Sequence, residues 1–325
     1  MSKSFRSATE IPPMNVLPTG IANLDFATRV GGIPTGTQVE IFGREAVGKS
    51  LMAYYMIAEA QRRGHKVAYI DLEGTFEPKW AKYTSKLSLK DLDMADPLPG
   101  QEAVATLDEA VKSNEYRLII FDSLGCMVDD TEKDITKMRV GGTSLLISHM
   151  VNNVNPYVRQ NNCIVVYINQ ARESFNSYGI SGSQEEAPGG RAKRHMCSIR
   201  IHLRPGEPLN HKGEKIGFRV KAKIIKNKVG TPNQTASWNV WNQPDPVNGV
   251  LGIDLIQDII DTSLNEGIIK RSGAWYSHGL FGEKPLQGTE AVFNFLSSHP
   301  EGIVTLKQEV LDLAKEVYSE EVNGE

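Results

Sequence analysis

Residues 41–52, IFGREAVGKSLM, constrain the fold of this chain more than any other stretch. Gly43 is followed by four residues and then by the triplet GKS at 48–50, which is the spacing of a loop that cradles phosphates. Residues 39–42 (VEIF) predict a short strand before the loop, and the 3.6-residue periodicity of 49–63 predicts a helix after it. Such a loop directs backbone N–H groups and a helix N-terminus at an anion, so we expect a nucleotide site here.

Three further apolar, β-branched runs follow the phosphate loop, at residues 67–73, 118–123 and 164–170. Helical stretches separate them, which is typical of a parallel sheet covered on both faces. Residues 198–203 and 218–226 alternate in polarity and predict strands with one exposed face. The sequence therefore predicts an α/β fold with a mostly parallel central sheet.

Length and composition limit the number of domains and the classes of protein to which this chain can belong. A chain of 325 residues accommodates one large α/β domain and a small second unit. We divide it into a short N-terminal arm (1–18), a large α/β core that contains the phosphate loop (19–249) and a small C-terminal domain (250–325). The formal net charge of -3 gives no sign of nucleic-acid binding by itself, so a DNA surface has to be local. No apolar stretch has the ~20 residues that span a bilayer, and the three cysteines are widely spaced, so we expect a cytoplasmic protein without membrane contact.

Residues at the ends of the predicted strands supply the chemistry that ATP hydrolysis needs. Lys49 is expected to reach the β- and γ-phosphates, and the Ser50 hydroxyl to bind Mg²⁺. Asp122 ends its strand where a second carboxylate would hold the Mg²⁺ through water. A base or acceptor must also orient the attacking water, and both Asp71 and Glu73 are candidates that periodicity does not separate. Gln170 ends the next strand, where its amide could bind the γ-phosphate and shift when that phosphate leaves.

Several segments together resemble the bacterial RecA recombinase family. Residues 19–50 are similar to the opening of its core, 69–81 to the segment with its catalytic glutamate, and 167–172 (YINQAR) to the entry of its second DNA-binding loop. KIIKNKVGTPNQTA (223–236) and SGAWYS (272–277) are more specific still. The resemblance runs from about Leu17 to Tyr318 and implies a P-loop NTPase core of RecA type followed by a small C-terminal α/β domain.

The resemblance also implies roles for individual residues. It identifies Glu73, rather than Asp71, as the catalytic glutamate, with Lys49 and Gln170 beside it. It places Trp80 against adenine, where a core position would otherwise be the simpler reading. Lys226 and Lys228 match lysines that reach ATP bound to the neighbouring subunit. The expected ATP contacts are Gly43, Arg44, Glu45, Ala46, Val47, Gly48, Lys49, Ser50, Leu51, Trp80 and Asp122, with Ser50 and Asp122 at the Mg²⁺ ion.

Two loops are then expected to face DNA. The first spans about 129–143 and the second about 171–190, followed by a basic stretch. Positive charge interleaved with aromatic rings suits single strands, whose bases stack irrespective of sequence. The candidate contacts are Lys137, Met138, Arg139, Arg172, Phe175, Tyr178, Arg191, Lys193 and Arg194.

The chain also departs from the family pattern. The arm before Leu17 is short, so we treat it only as a candidate segment for self-association. Leu145 and Asn152 stand where the family has arginines. The second loop is about two residues longer and contains Glu185 and Glu186, a negative charge on the expected path of a phosphate backbone. These features indicate a divergent member of the family.

The sequence therefore predicts an ATP-dependent recombinase that binds single- and double-stranded DNA, self-associates into a helical filament or ring, and exchanges strands. Its cofactors would be ATP and Mg²⁺. One alternative is an ATP-switched DNA-binding or scaffold protein without strand exchange. A ring-forming helicase or branch-migration motor is another, against which the segments at 223–236 and 272–277 argue. A phosphate-loop kinase is the weakest, because no acceptor-binding lid is visible.

Overall fold

The computed structural model of the protein describes residues 14–128, 142–173, 185–186 and 190–323. Its strands are β1 Val16–Leu17, β2 Ile33–Pro34, β3 Thr37–Gly43, β4 Val67–Asp71, β5 Leu92–Ala95, β6 Leu118–Asp122, β7 Ile164–Gln170, β8 Arg172–Glu173, β9 Glu185–Glu186, β10 Ile199–His211, β11 Glu214–Asn227, β12 Thr235–Trp241, β13 Gly252–Ile253, β14 Lys270–Ser272, β15 Trp275–Ser277 and β16 Leu286–Gln287. Its helices are α1 Ala22–Ala27, α2 Lys49–Arg62, α3 Pro78–Ser85, α4 Gln101–Lys112, α5 Gly142–Gln160, α6 Gly190–Met196, α7 Leu255–Asn265, α8 Thr289–Ser298 and α9 Pro300–Asn323.

A large sheet organises the described part of the chain, with the strand order β13-β12-β11-β10-β3-β7-β6-β4-β5. The strands from β10 to β5 run parallel, and β11, β12 and β13 extend the sheet in antiparallel fashion. The expected α/β architecture with a mostly parallel sheet is thus confirmed. The alternation of β11 fits its antiparallel place beside β12, whereas the start of β10 pairs in parallel with β3 and is largely buried.

Apolar layers cover both faces of the parallel strands because successive side chains point to opposite faces. One core cluster joins α2 to residues such as Val39 and Ile41 of β3, and the other joins α4 and α5 to residues such as Ile119 and Val165. This burial explains why β4, β6 and β7 read as largely apolar runs. Within the described ranges, no helix combines the length and apolar character needed to cross a membrane.

The C-terminal helices pack around a third apolar cluster that includes Ala22 and Phe26 of α1. The buried carboxylate of Asp258, on α7, accepts the backbone N–H of Ala22 at 2.5 Å. Helix α1 therefore contributes to both clusters, since it also places Leu24 in the main core.

Candidate nucleotide site and flanking surfaces

The phosphate loop connects the end of β3 to the first residue of α2. Gly43 closes the strand where a Cβ would lie 2.3 Å from the carbonyl oxygen of Leu203, so a side chain has no room there. Gly48 precedes the helix with a φ of 89°, a backbone conformation that glycine adopts without strain. The two glycines of the motif are therefore required by a close strand contact and by a left-handed turn.

Lys49 folds back over the loop that precedes it. Its side chain is buried, and its Nζ donates hydrogen bonds to the carbonyl oxygens of Arg44 at 2.8 Å and Gly43 at 3.3 Å. Burial lowers the pKa of Lys49, and the nearby carboxylates of Asp122 and Glu73 oppose that shift. Phosphate oxygens would compete with these carbonyls for a cation already located at the helix N-terminus.

Asp122 lies at the centre of a buried group of oxygen atoms. Its Oδ2 accepts hydrogen bonds from the Ser50 hydroxyl at 2.7 Å and the Tyr69 hydroxyl at 2.6 Å. Its Oδ1 is buried and has no hydrogen-bond partner among the described residues. Burial raises the pKa of Asp122 to about 6, although both hydroxyl groups lower it.

The oxygen atoms of Ser50 and Asp122 fit Mg²⁺ in their chemistry. Mg²⁺ prefers oxygen ligands and is commonly held by one or two protein groups together with water and substrate phosphates. The described residues include no group of three or more His, Cys, Asp or Glu side chains that could hold a metal alone. A site of this kind therefore depends on the nucleotide for its remaining ligands.

The structure distinguishes the two acidic residues that periodicity left equivalent. Alternation along a strand of residues 67–73 would place Asp71 and Glu73 on the same face, but β4 ends at Asp71, so Glu73 lies outside the strand. The Asp71 carboxylate accepts the backbone N–H groups of Glu73, Gly74 and Phe76 at 2.9–3.1 Å and thereby stabilises the turn after the strand. Glu73 instead accepts a hydrogen bond from the Ser123 hydroxyl at 2.5 Å, which brings it next to Asp122.

Gln170 completes the row of polar side chains at this edge of the sheet. Gly43 pairs with Gln170 across β3 and β7, and Asp71 pairs with Asp122 across β4 and β6. The half-buried Gln170 side chain borders Gly125, in the turn that follows β6. The order β3-β7-β6-β4 thus places the phosphate loop, Gln170, Asp122 and Asp71 along one edge, with Glu73 just after it.

Trp80 lies on α3 and is 38% exposed. It is therefore not a core tryptophan, and its ring has a free surface for stacking. The α3 helix begins after Glu77, whose side chain accepts the backbone N–H of Trp80.

Lys226 and Lys228 lie away from the chain's own phosphate loop. Lys226 is in register with Arg200, and Arg200 is in register with Glu40. Glu40 comes three residues before Gly43, so Lys226 lies about 10 Å from the level of Gly43, measured along the strand direction. Both ammonium groups donate to the carbonyl of His195, and Lys226 also to that of Arg194, at the end of α6.

The expected DNA contacts fall largely outside the described residues. Those outside are Lys137, Met138, Arg139, Phe175 and Tyr178, together with the side chains of Arg172 and Arg191. The backbone of β8 pairs with β9, so Glu185 and Glu186 adjoin the first residues of the second loop. Arg194 is exposed, as a DNA contact requires.

The sequence-based prediction that Lys193 contacts DNA is wrong. Its side chain is fully buried and forms an ion pair with Glu40, so it does not present its charge to DNA. The basic stretch after the second loop suggested a solvated cation, but this position of α6 faces the sheet.

A basic surface on the antiparallel part of the sheet escaped the sequence analysis. Arg204 pairs with Lys221, and His202 with Lys223, across β10 and β11; Arg204, Lys221 and Lys223 are exposed. The alternation of 218–226 predicted an exposed face, and counting its charges would have identified the β11 residues of the patch, to which strand pairing adds Arg204.

Comparison with known proteins gives matches to one family along most of the chain. The sequence profile of the RecA N-terminal domain matches residues 6–243, and that of the RecA C-terminal domain matches residues 257–315. The chain is 36% identical to Protein RecA of Aquifex pyrophilus over 310 residues, which cover 94% of this chain and 85% of that protein. It is 35% identical to Protein RecA of Thermotoga maritima over 298 residues, which cover 90% and 81% of the two chains.

Proposed function

The chain belongs to the RecA family, and on that basis we propose that it is a DNA-dependent ATPase that assembles on single-stranded DNA and exchanges homologous strands. The observation that carries the proposal is the convergence of Lys49, Ser50, Asp122, Glu73 and Gln170 at one edge of the parallel sheet. Ligands of open α/β sheets bind at that edge, outside the carboxyl ends of the strands.

The proposed hydrolysis is mostly positioning and charge neutralisation. Lys49 exchanges its loop carbonyls for the β- and γ-phosphate oxygens, and the loop N–H groups hold the remaining phosphate oxygens. Ser50 and Asp122 would hold Mg²⁺, which would supply positive charge to the phosphates. Glu73 orients the attacking water and accepts its proton, while Trp80 stacks on the adenine.

Gln170 links hydrolysis to DNA in this proposal. Its amide hydrogen-bonds the γ-phosphate, and it lies one residue before the second loop, which begins at Ala171. Loss of the γ-phosphate removes that contact and alters the start of the loop. The binding of DNA therefore depends on the state of the nucleotide.

Lys226 and Lys228 are proposed to act on the ATP of a neighbouring subunit. Their position along the strands, away from the chain's own phosphate loop, supports action in trans. ATP bound between subunits stabilises a head-to-tail assembly, which is the arrangement that generates filaments or rings.

The basic surface of Arg204, Lys221 and Lys223 supports the handling of a second DNA strand. Phosphate contacts of this kind are independent of sequence and weaken with salt. Strand exchange requires two DNA molecules on one assembly, and this surface, in which Lys221 also pairs with Glu207, would offer phosphate contacts in addition to the two proposed DNA loops.

A strand-exchange assay between circular single-stranded DNA and homologous linear duplex tests the proposal, with the wild type compared with Glu73→Gln. The expected result is pairing by both proteins and rapid ATP turnover by the wild type alone, since the variant retains the groups that bind ATP. ATP-dependent DNA binding without pairing by either protein would instead favour the scaffold function, to which the acidic pair Glu185 and Glu186 lends support.

A further inference from the structure

A buried cluster of charges includes residues on both sides of the second loop in the sequence and lies outside the ATP-binding residues. The Glu40 carboxylate is fully buried and forms ion pairs with the Lys193 ammonium and, at 2.6 Å, with Arg200 Nε. Its Oε1 also accepts a hydrogen bond from Asn169 Nδ2 at 2.9 Å. Glu40, Lys193 and Asn169 are each 0% exposed.

Stability alone does not account for such a cluster. Moving charges out of water is costly, and apolar side chains of similar size often replace a buried ion pair without loss of stability. Burial by itself raises the pKa of Glu40, but Lys193 and Arg200 together lower it below its ordinary value, so the carboxylate stays ionised. What the cluster does provide is a directional link between specific elements.

The linked elements are the two flanks of the second loop. Asn169 immediately precedes Gln170 at the end of β7, and Lys193 lies on α6, just beyond residue 190. Both donate to the same oxygen of Glu40, which lies on β3 three residues before the phosphate loop. One carboxylate therefore connects the start of the loop, its end and the strand that supports the nucleotide.

The far end of α6 is held by different contacts. Lys226 and Lys228 donate to carbonyl groups in its last turn, as cations at a helix C-terminus favourably do. These lysines are the ones proposed to reach the neighbour's ATP. If they leave α6 for phosphate oxygens, the link through Lys193 still connects this helix to β3.

We propose that Glu40, Asn169 and Lys193 form a clasp that positions the second loop relative to the phosphate-loop strand and so couples DNA binding to ATP turnover. The inference rests on the proposed function and extends it. The three are positioning residues, because they act through Gln170 and α6 and not through contact with ATP or DNA.

Two matched substitutions test the clasp. Lys193→Met keeps the shape of the side chain and removes its charge, while Glu40 stays paired with Arg200 and Asn169. Arg200→Met removes the other cation from the same carboxylate and leaves both loop flanks attached to it. ATP turnover is measured for each variant without DNA and across a titration of single-stranded DNA, well below its unfolding temperature.

The expected result separates the two variants. Lys193→Met keeps ATP binding and DNA-independent turnover but loses at least about fivefold in stimulation by DNA, which is the lower end of coupling between linked sites. Arg200→Met keeps its stimulation ratio even if its thermal stability falls. A Lys193→Met variant that is folded and stimulated as strongly as the wild type would overturn the proposal.

Loss of folding in the variant and absence of stimulation in the wild type also have defined consequences for the proposal. If Lys193→Met does not fold, Glu40→Gln/Lys193→Met removes both charges together and is read in the same way; failure of both to fold would make the pair purely structural and overturn the clasp. If the wild type itself is not stimulated by DNA, the proposed function fails and the clasp with it. Stimulated wild type and equally stimulated variant reject the clasp alone.

Discussion

The Ser123 hydroxyl donates a hydrogen bond to Glu73 Oε1 at 2.5 Å, and so joins the proposed catalytic glutamate to the residue that follows Asp122. Ser123 is fully buried, which leaves its hydroxyl little freedom. The carboxylate proposed to act on the attacking water is therefore held by the residue next to Asp122, whose own carboxylate is proposed to act on Mg²⁺.

Ser123→Ala removes this hydrogen bond and should lower ATP turnover roughly tenfold, the rate equivalent of about 1.4 kcal/mol. ATP binding should persist because the phosphate loop is unchanged. Steady-state kinetics with a nucleotide-binding titration check this, and Ser113→Ala, an exposed serine on the helix α4 terminus, is the control. Unchanged turnover in Ser123→Ala would show that Glu73 is positioned by other groups.

Lys49→Ala should reduce ATP turnover by at least about 100-fold, because it removes a fixed cation from the site of developing phosphate charge. The buried Lys49 side chain donates hydrogen bonds to carbonyl groups of its own loop, so the substitution should disturb the structure of that loop and not the rest of the fold. Phosphate release is the measurement, and Lys90→Ala, at an exposed lysine, is the control. Normal turnover in the Lys49 variant would refute the phosphate-loop assignment.

Lys226→Ala should also be deficient in DNA-stimulated hydrolysis, but for a reason that subunit mixing reveals. In an equal mixture with Lys49→Ala, about a quarter of head-to-tail interfaces combine an intact Lys49 with an intact Lys226 from the other protein. Turnover by the mixture should therefore exceed that of either variant alone. If turnover by the mixture equals the mean of the turnover rates of the two variants alone, action in trans is contradicted.

The stability of the protein should depend on pH through buried Asp25. Burial raises the pKa of Asp25 to about 7 from an ordinary value of 3.8, although hydrogen bonds from Thr19 oppose the shift. The folded state then binds more protons than the unfolded chain between about pH 4 and pH 7. The free energy of unfolding consequently falls as the pH rises through this window and levels off above it.

Asp25→Asn should remove the contribution of Asp25 to this pH dependence. The slope of the free energy of unfolding against pH should become shallower by up to about 1.4 kcal/mol per pH unit. The Asn Oδ1 can still accept from both Thr19 groups. Denaturant unfolding from pH 4 to pH 8 measures the difference, with exposed Asp96→Asn as the control. A profile parallel to that of the wild type would mean that Asp25 ionises in the folded state as readily as in the unfolded chain.

The fold could be predicted from the sequence because its strongest signals are local. The phosphate loop is defined within eight residues, and the buried strands β4, β6 and β7 are apolar up to the polar residues at their ends. Asp71 and Glu73 could not be separated by periodicity, because the end of β4 is set by the hydrogen bonds that Asp71 accepts from the following turn.

The burial of Lys193 shows what local patterns miss. Its sequence neighbours are basic, yet its partner Glu40 lies 153 residues earlier, and only the packing of α6 against the sheet brings them together. The charge of the surface around Arg204 and Lys221 likewise arises from the pairing of two strands. Both features depend on contacts between distant residues.

The most direct test of the account is ATP hydrolysis by the wild type with and without single-stranded DNA across a salt series, with the same samples imaged by electron microscopy. The account predicts DNA-stimulated turnover that declines as salt rises, because phosphate contacts release counterions, together with helical filaments on the DNA. Turnover that DNA does not change at low salt, in samples without filaments, would contradict it.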